Sequence, residues 1–148
     1  MKIDRRFLIR RMLAFSAAIT FPQILFAARP DKAFGSTDVD TVFAELFGET
    51  PGDSDRVKMK IPDIAENGAV VPVSISTDLE NVESISVVVA NNPTPLAASF
   101  NLGPRSQAKI SVRIKMAQSS SVRAIVKADG KLYSTEKEVK VTIGGCGG

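Results

Sequence analysis

Apolar and polar side chains alternate through most of the region between residues 56 and 143. Val57, Met59 and Ile61, for example, are separated by lysines. A period of two places successive side chains on opposite faces of a strand. The segments, of which the fourth is the weakest, are 57–61, 71–75, 85–89, 96–102, 108–116, 122–126 and 132–143. These seven or so short strands predict an all-β fold, an immunoglobulin-like antiparallel β-sandwich.

Four short motifs predict turns and edges in this sandwich. Asn67-Gly68 and Asp129-Gly130 are two-residue hairpin signals, and Asn91-Asn92-Pro93 is a turn. Pro72 has no N–H to donate to a neighbouring strand, so we expect its strand to lie at a sheet edge or to carry a bulge. The chain has no tryptophan and a single cysteine, which excludes the core of antibody domains.

A short N-terminal helix is predicted within residues 29–55, after a tether at 29–37. Apolar residues recur there at helical spacing: Val39, Val42, Phe43, Leu46 and Phe47. Thr37 is the expected N-cap, with Asp40 three residues later, and Gly48 is the expected stop. We expect the apolar face to pack on the domain itself. Packing on a partner subunit is the alternative.

The first segment, residues 1–28, is typical of an export signal. The pairs Arg5-Arg6 and Arg10-Arg11 precede an apolar stretch from Met12 to Phe26, and small residues follow it. The first pair resembles the twin-arginine signal, although Asp4 stands where that signal prefers Ser or Thr. The stretch is shorter than the ~20 apolar residues of a membrane span. We therefore expect a periplasmic protein, exported by the twin-arginine route, without a membrane anchor.

The charge that remains after removal of this signal bears on possible partners. The whole chain has 19 Lys and Arg against 16 Asp and Glu, but five of the bases and one of the acids lie in residues 1–28. The remainder has 14 bases and 15 acids, a net charge of −1. We therefore expect neither nucleic acid nor anionic lipid as a partner.

The last five residues, 144–148, contain the only cysteine of the chain. Cys146 stands between Gly144-Gly145 and Gly147-Gly148. Glycine adopts backbone conformations closed to other residues, so we expect a flexible C-terminal glycine arm that carries the thiol. From the predicted end of the last strand at Ile143, an extended arm lets Cys146 reach roughly 10 Å. Such a tip can enter a narrow cleft in another protein; the alternative is a disordered tail with an incidental cysteine.

The composition excludes most catalytic chemistry. The chain has no histidine, so neither a Ser-His pair nor a Cys/His zinc site can form. Asp53 and Asp55 lie in a predicted loop without a partner motif, so we expect no metal site. No base adjoins Cys146 in sequence, so its thiol is expected to have an ordinary pKa of ~8.5. We expect no catalytic residue and no cofactor. In an oxidising compartment, a single thiol indicates a modified group or an intermolecular bond.

Two segments give the chain a resemblance to a known family. One is the C-terminal Gly-Gly-Cys-Gly-Gly, and the other is Ile61-Pro62-Asp63-Ile64-Ala65-Glu66-Asn67-Gly68, followed by Val71-Pro72-Val73. Together with the leader and the predicted sandwich, they make the whole chain resemble the sulfur-carrying Y subunit of the periplasmic Sox (sulfur-oxidation) system.

The resemblance implies a covalent carrier of thiosulfate-derived sulfur. By residue match, Cys146 is the attachment site, and Gly144, Gly145, Gly147 and Gly148 form the swinging arm. The implied partners are a haem c enzyme that conjugates thiosulfate, a manganese-dependent hydrolase that releases sulfate and, where present, a molybdenum–haem sulfane dehydrogenase. The family also implies a heterodimer with a second β-sandwich, the Z subunit. The carrier holds sulfur intermediates and no cofactor.

Two other classes of function are compatible with parts of the sequence. One is an exported, non-catalytic interaction subunit whose Cys146 forms an intermolecular disulfide or is lipidated. The other is a ubiquitin-like sulfur carrier, which also ends in Gly-Gly. Such carriers act in the cytosol through a terminal carboxylate, and the export signal argues against them.

Overall fold

The computed structural model describes residues 30–143, which form two short helices and nine strands. Their bounds are α1 (Asp31–Gly35), α2 (Val39–Leu46), β1 (Gly52–Asp53), β2 (Val57–Lys60), β3 (Ile64–Ala65), β4 (Val71–Thr77), β5 (Val82–Val89), β6 (Leu96–Asn101), β7 (Lys109–Ile114), β8 (Ser120–Ala128) and β9 (Lys131–Val141). The export signal predicted over 1–28 and the arm predicted over 144–148 lie outside the described residues.

The strands of this range pair into a large sheet and a small sheet. The large sheet has the order β1-β9-β8-β5-β6, with β3 also paired to β9, and the small sheet has the order β2-β4-β7. The predicted all-β, immunoglobulin-like antiparallel β-sandwich is confirmed. Two short strands that the sequence did not predict, β1 and β3, run parallel to β9. Both are two-residue pieces of connections between longer strands, and they pair with backbone groups along the edge of β9 that faces away from β8. An unpaired strand edge exposes backbone groups that can pair with another chain, so proteins commonly cover it.

The inner faces of the two sheets meet in an apolar core. In β4, Val71, Val73 and Ile75 are buried, whereas the residues between them are partly or fully exposed. The large sheet contributes Ile85 and Val87, both fully buried in the same cluster. The period of two in the sequence therefore corresponds to one face against the opposite sheet, and the buried face supplies most of the stability.

The two helices cover part of the outer face of the large sheet. Val42 and Phe43 of α2 are buried in a second cluster with Val88 and Ile125 of the sheet. Phe43 also lies under the guanidinium of Arg123, which is 5.9 Å from the ring centroid. The prediction that the apolar helix face packs on its own domain is confirmed. Since Val42 and Phe43 are buried against the sheet, the centre of this face is not available to the partner of the alternative prediction.

The start of α2 corrects two details of the sequence prediction. The N-cap is Asp38 and not Thr37, because the Asp38 carboxylate accepts a hydrogen bond of 2.8 Å from the amide of Thr41. Residues 31–35 form α1, although the whole segment 29–37 was expected to be a tether. The predicted stop is confirmed: Gly48 has φ +74°, and its amide donates to the carbonyl of Phe43.

The two hairpin signals have different outcomes. Asp129 and Gly130 both have positive φ and join β8 to β9 in a two-residue hairpin, as predicted. Asn67-Gly68 is not a hairpin, because the connection from β2 to β4 includes β3. The Asn67 side chain instead accepts a hydrogen bond from the amide of Ala69, two residues on.

The prediction for Pro72 is wrong for the strand, since β4 is the central strand of the small sheet. It holds locally. Pro72 pairs with Arg113 of β7, but β2 extends only to the level of Ser74, where Lys60 is its partner. Pro72 therefore has a strand neighbour on one side only, and its missing N–H leaves no ladder bond unmade on the other side.

Candidate functional site

The predicted attachment site lies just beyond the described range. Cys146 and its flanking glycines, Gly144, Gly145, Gly147 and Gly148, are outside residues 30–143, so no geometry is given for them. The structure does describe the segment from which they extend. This arm root, residues 140–143, is the end of β9 and the two residues after it, and it fixes the origin of the arm relative to both sheets.

Backbone hydrogen bonds join the arm root to residues 63–68, which we call the clasp. The amide of Lys140 donates to the Asp63 carbonyl at 2.9 Å, and the amide of Thr142 donates to the Ala65 carbonyl at 3.1 Å. The amide of Gly68 then donates to the carbonyl of Ile143 at 2.8 Å. The regular strand ends at Val141 and not at Ile143 as predicted, but its backbone stays bonded up to Ile143.

Side chains reinforce the same contact. The Thr142 hydroxyl donates to the carbonyl of Glu66 at 2.9 Å, so the root is tied to the clasp by side chain as well as by backbone. On the opposite edge of β9, the hydroxyl of Ser119 accepts a hydrogen bond of 2.9 Å from the amide of Val141. The last residue before the glycines is therefore attached to a fixed part of the sandwich, because hydrogen bonds on both edges restrain the strand.

A lysine ties the start of the clasp to the middle of β9. Lys137 Nζ lies 2.7 Å from a carboxylate oxygen of Asp63 and donates to the carbonyl of Ile61 at 3.1 Å. The lysine side chain is less than half exposed, so its carbonyl bond is partly screened from water. The segment between β2 and β4 is thus held along much of β9.

Gly68 links the arm root to the small sheet as well. Its amide bonds to Ile143, and its carbonyl accepts a hydrogen bond of 2.7 Å from the amide of Met116, just after β7. Met116 is fully buried in the main core. Through this one residue, the origin of the arm is connected to β9 of the large sheet and to the end of β7 in the small sheet.

Apolar side chains are exposed around the arm root. Among the residues that the structure describes, the large hydrophobic side chains exposed to solvent are Ile64, Val70 and Ile143, at 59%, 52% and 68%. Ile64 pairs with Lys140 at the root, and Val70 follows the clasp by two residues. Exposed apolar side chains in the clasp and at the arm root are available for contact with another molecule.

Metal-ligating side chains do not cluster in the described part of the chain. Between residues 30 and 143, no group of three His, Cys, Asp or Glu side chains could hold a metal ion. Two carboxylates have lowered pKa values. The amide and hydroxyl of Thr41 lower the pKa of Asp38, and the amide of Gly130 and the Lys127 ammonium lower the pKa of Glu83. Both carboxylates are exposed: Asp38 caps α2, and Glu83, in β5, accepts a hydrogen bond from the amide of Gly130 in the β8–β9 turn.

The clasp is the part of the site that sequence reasoning missed. Its residues were noted as a family-like segment, but Asn67-Gly68 was interpreted as a hairpin. Parallel pairing of a two-residue strand leaves no periodic signal, so the contact with residues 140–143 could not be derived from spacing. The signal that was available is Pro62, which disfavours continuation of β2 into a tight hairpin.

Comparison with known families decides the relationship of the chain. A family profile described as sulfur oxidation protein SoxY matches residues 43–146. The chain belongs to the SoxY family. The matched region of this SoxY-family protein begins in α2 and ends on Cys146, so it includes both the clasp and the terminal cysteine.

Solved structures agree with this relationship. The sulfur carrier protein SoxY from Chlorobium limicola f thiosulfatophilum is 40% identical, with a TM-score of 0.64, over 72% of this chain and 97% of that one. A superoxide reductase (neelaredoxin) from Ignicoccus hospitalis is 18% identical, with a TM-score of 0.52, over 57% of this chain and 79% of that one. At that identity the likeness shows the fold alone. No curated protein matches the chain.

Proposed function

We propose that this SoxY-family protein is a covalent sulfur carrier in thiosulfate oxidation, with Cys146 as its attachment site. The observation that carries the proposal is the clasped arm root: a side-chain bond holds Thr142, a backbone bond holds Ile143, and the only cysteine of the chain follows three residues later. Family membership and the 40% identical sulfur carrier support it. A carrier that presents a bound group to several enzymes needs an arm that starts from a fixed point and ends in small residues. The bonded arm root and the glycines around Cys146 fit this need.

The loading step forms a bond between two sulfur atoms. The Cys146 thiol loses its proton, its sulfur bonds to the sulfane sulfur of thiosulfate, and two electrons leave. The haem c enzyme that the resemblance implies is the electron acceptor. The product is a cysteine S-thiosulfonate. No base of this chain adjoins the cysteine in sequence, so deprotonation is assigned to the enzyme that receives the arm.

The release step is a hydrolysis. Water attacks the terminal sulfonate sulfur, sulfate leaves, and a persulfide stays on Cys146, so no electron is gained or lost. The manganese-dependent hydrolase implied by the resemblance supplies the metal and the water. A sulfane dehydrogenase, where the organism has one, then oxidises the remaining outer sulfur. In each step the carrier contributes the attachment atom and the enzyme contributes the catalytic groups.

Partners and compartment follow from the same proposal. Members of the SoxY family function together with a SoxZ subunit, and we propose the corresponding heterodimer here. The exposed Ile64, Val70 and Ile143 around the arm root are the proposed contact for the enzyme cleft that receives the arm. The export signal predicted over residues 1–28 and membership of the SoxY family both support a periplasmic location. Within the range that the structure describes, no helix has the length and apolar character of a membrane span.

The proposal is tested by replacing the thiol. Cys146→Ser should fold like the wild type and should abolish thiosulfate-dependent turnover in a system reconstituted with the haem c enzyme and the hydrolase. Addition of wild-type carrier should restore turnover and so show that the enzymes are active. Full turnover by the serine variant would contradict the proposal. A non-reducible acyl mass on Cys146, or a disulfide-linked dimer as the main species, would favour an interaction subunit.

A further inference from the structure

The outer face of the small sheet carries five exposed basic side chains and no acidic one. The residues of β2, β4 and β7 include no aspartate or glutamate. The bases, which we call the cationic face, are Lys58, Lys60, Lys109 and Arg113 of the sheet and Lys115, one residue beyond the end of β7. Within residues 30–143, none of the five forms an ion pair with a carboxylate. A group of unpaired positive charges makes the local electrostatic potential positive, and the charges repel one another. Binding of a negatively charged partner would relieve this repulsion.

The register of the sheet shows how these charges are arranged. Lys58 lies opposite Ser76, and Ser76 lies opposite Lys109, so two lysines flank a serine across about 9.5 Å of sheet. One row further on, Lys60 flanks Ser74. The central strand thus presents short side chains between the long side chains of its neighbours. Two neighbouring open pockets lie on this surface, and their lining includes Ser74 and Ser76 of the central strand together with Lys58, Lys60 and Lys109.

The size of the face indicates the kind of ligand. From Lys109 to Lys115 the array extends about 20 Å along the strand direction, which is far longer than one inorganic anion. The charges are spread out and do not converge on one point. The face therefore suits several carboxylates on a protein surface better than a single sulfate or thiosulfate ion.

The charge of the rest of the domain argues against a larger polyanion. Residues 30–143 contain 13 bases and 15 acids, so outside the cationic face eight bases oppose 15 acids. A membrane or a nucleic acid that extended beyond the face would meet this acidic remainder. An acidic patch of limited size on a protein would not.

The position of the face relative to the arm root indicates the class of protein that would cover it. Lys115 is followed directly by Met116, whose amide bonds to Gly68, and Gly68 bonds to Ile143 at the arm root. The cationic face therefore runs up to the origin of the arm. A protein that receives Cys146 in a cleft lies over this end of the sandwich and can cover the face at the same time.

We propose that the cationic face is the docking surface for an acidic patch beside the active-site cleft of the enzyme that loads Cys146. This inference rests on the proposed carrier function. Attraction between the two patches speeds encounter and orients the arm toward the cleft, and the exposed apolar side chains at the root then complete the contact.

Binding is measured so that docking is separated from sulfur chemistry. The probe is the purified haem c thiosulfate-conjugating enzyme of the same Sox system, titrated with the carrier heterodimer in a Cys146→Ser background. Lys60→Gln with Arg113→Gln should raise the Kd roughly tenfold at low ionic strength. The matched control, Lys32→Gln with Lys131→Gln, removes the same charge from exposed sites elsewhere and should leave the Kd unchanged. At 1 M salt, where the Debye length is about 3 Å, the variants should converge.

Three results would overturn the docking proposal: equal Kd values for the face variant and the wild type, an equal loss in the control, or loss of the Z subunit from the face variant. Enzyme binding that persists while binding to phosphatidylglycerol vesicles disappears would overturn it too. The carrier function is judged separately, by the sulfur adduct on Cys146 of the wild type. A missing adduct with a salt-sensitive Kd would contradict the carrier function and leave the docking surface standing.

Discussion

The two sheets of the sandwich use their outer faces in opposite ways. The outer face of the large sheet is apolar around Val88 and Ile125 and is covered by α1 and α2. Among residues 30–143, no helix covers the outer face of the small sheet, which carries the bases of the cationic face. Within the described residues, the helices therefore pack on the outer face of the large sheet and not on the outer face of the small sheet.

The two sheets therefore have different roles: the large sheet mainly stabilises the fold, and the outer face of the small sheet is the proposed surface for binding a partner. The large sheet is packed on both sides and contains β9, the strand that leads to the arm. The small sheet contributes its inner face to the core, and its outer face carries exposed basic side chains. The clasp joins the two, since Gly68 bonds to Ile143 on one side and to Met116 on the other. The arm thus starts at the boundary between the packed sheet and the charged one.

The largest expected effect is at Ile125, which is 1% exposed between the large sheet and the helices. Ile125→Ala should lower the free energy of unfolding by about 2–5 kcal/mol, as for other large-to-small changes in a core. Chemical denaturation measures it. A loss of less than about 0.5 kcal/mol would show that the helices pack loosely and that the proposed contrast between the outer faces is wrong.

The next effect is at the boundary between the sheets. Thr142→Val removes the hydrogen bond to the carbonyl of Glu66 and should cost about 0.5–1.5 kcal/mol. Amide hydrogen exchange should speed up at Gly68 and Thr142 in particular, because the clasp opens locally. Thr135→Val, a change of the same kind elsewhere on β9, is the control and should leave those amides unaffected. Unchanged exchange in the first variant would mean that the clasp does not depend on this bond.

The cationic face should contribute almost nothing to stability. Lys60→Gln with Arg113→Gln changes two exposed groups without ion-pair partners in the described residues, so the free energy of unfolding should stay within about 0.5 kcal/mol of wild type. Denaturation at low salt, where repulsion is strongest, is the sensitive measurement. A marked destabilisation would show that these side chains have a structural role and would weaken the contrast with the large sheet.

The smallest effect is the pH dependence of the helix cap. Hydrogen bonds from the amide and hydroxyl of Thr41 lower the pKa of Asp38 in the folded state below its ordinary value of about 4. A lowered folded pKa adds stability that is present above about pH 4 and is lost as pH falls through the folded pKa. The thermal midpoint of the wild type should therefore exceed that of Asp38→Asn at pH 7, and the difference should shrink below pH 4. A difference that is constant from pH 7 to pH 3 would contradict this assignment.

Much of the fold could be predicted from the sequence, because period-two alternation and turn chemistry are local signals. The Asp129-Gly130 hairpin and the helix face around Phe43 are examples. The errors concern contacts between segments that are distant in sequence. Pro72 lies in a central strand because β2 is short, and residues 63–68 bond to β9 because its edge is open. Neither strand length nor edge cover is encoded in the local pattern.

The candidate site divides in the same way. Cys146 could be identified from composition alone, since it is the only cysteine and stands among four glycines. The clasp required the structure, because the hydrogen bond between Gly68 and Ile143 joins residues 75 positions apart. The cationic face also required it. Its bases are visible in the sequence, but the net charge of −1 over residues 29–148 concealed their grouping on one sheet.

The most direct test of the central claim is the intact mass of the mature protein isolated from cells grown on thiosulfate. The carrier account predicts covalent sulfur adducts that a reductant removes, and fragmentation should place every adduct in residues 144–148. A chain purified in the same way with Cys146→Ser should show none of them. An unmodified thiol as the only species in actively oxidising cells, or adducts that persist in the serine variant, would contradict the account.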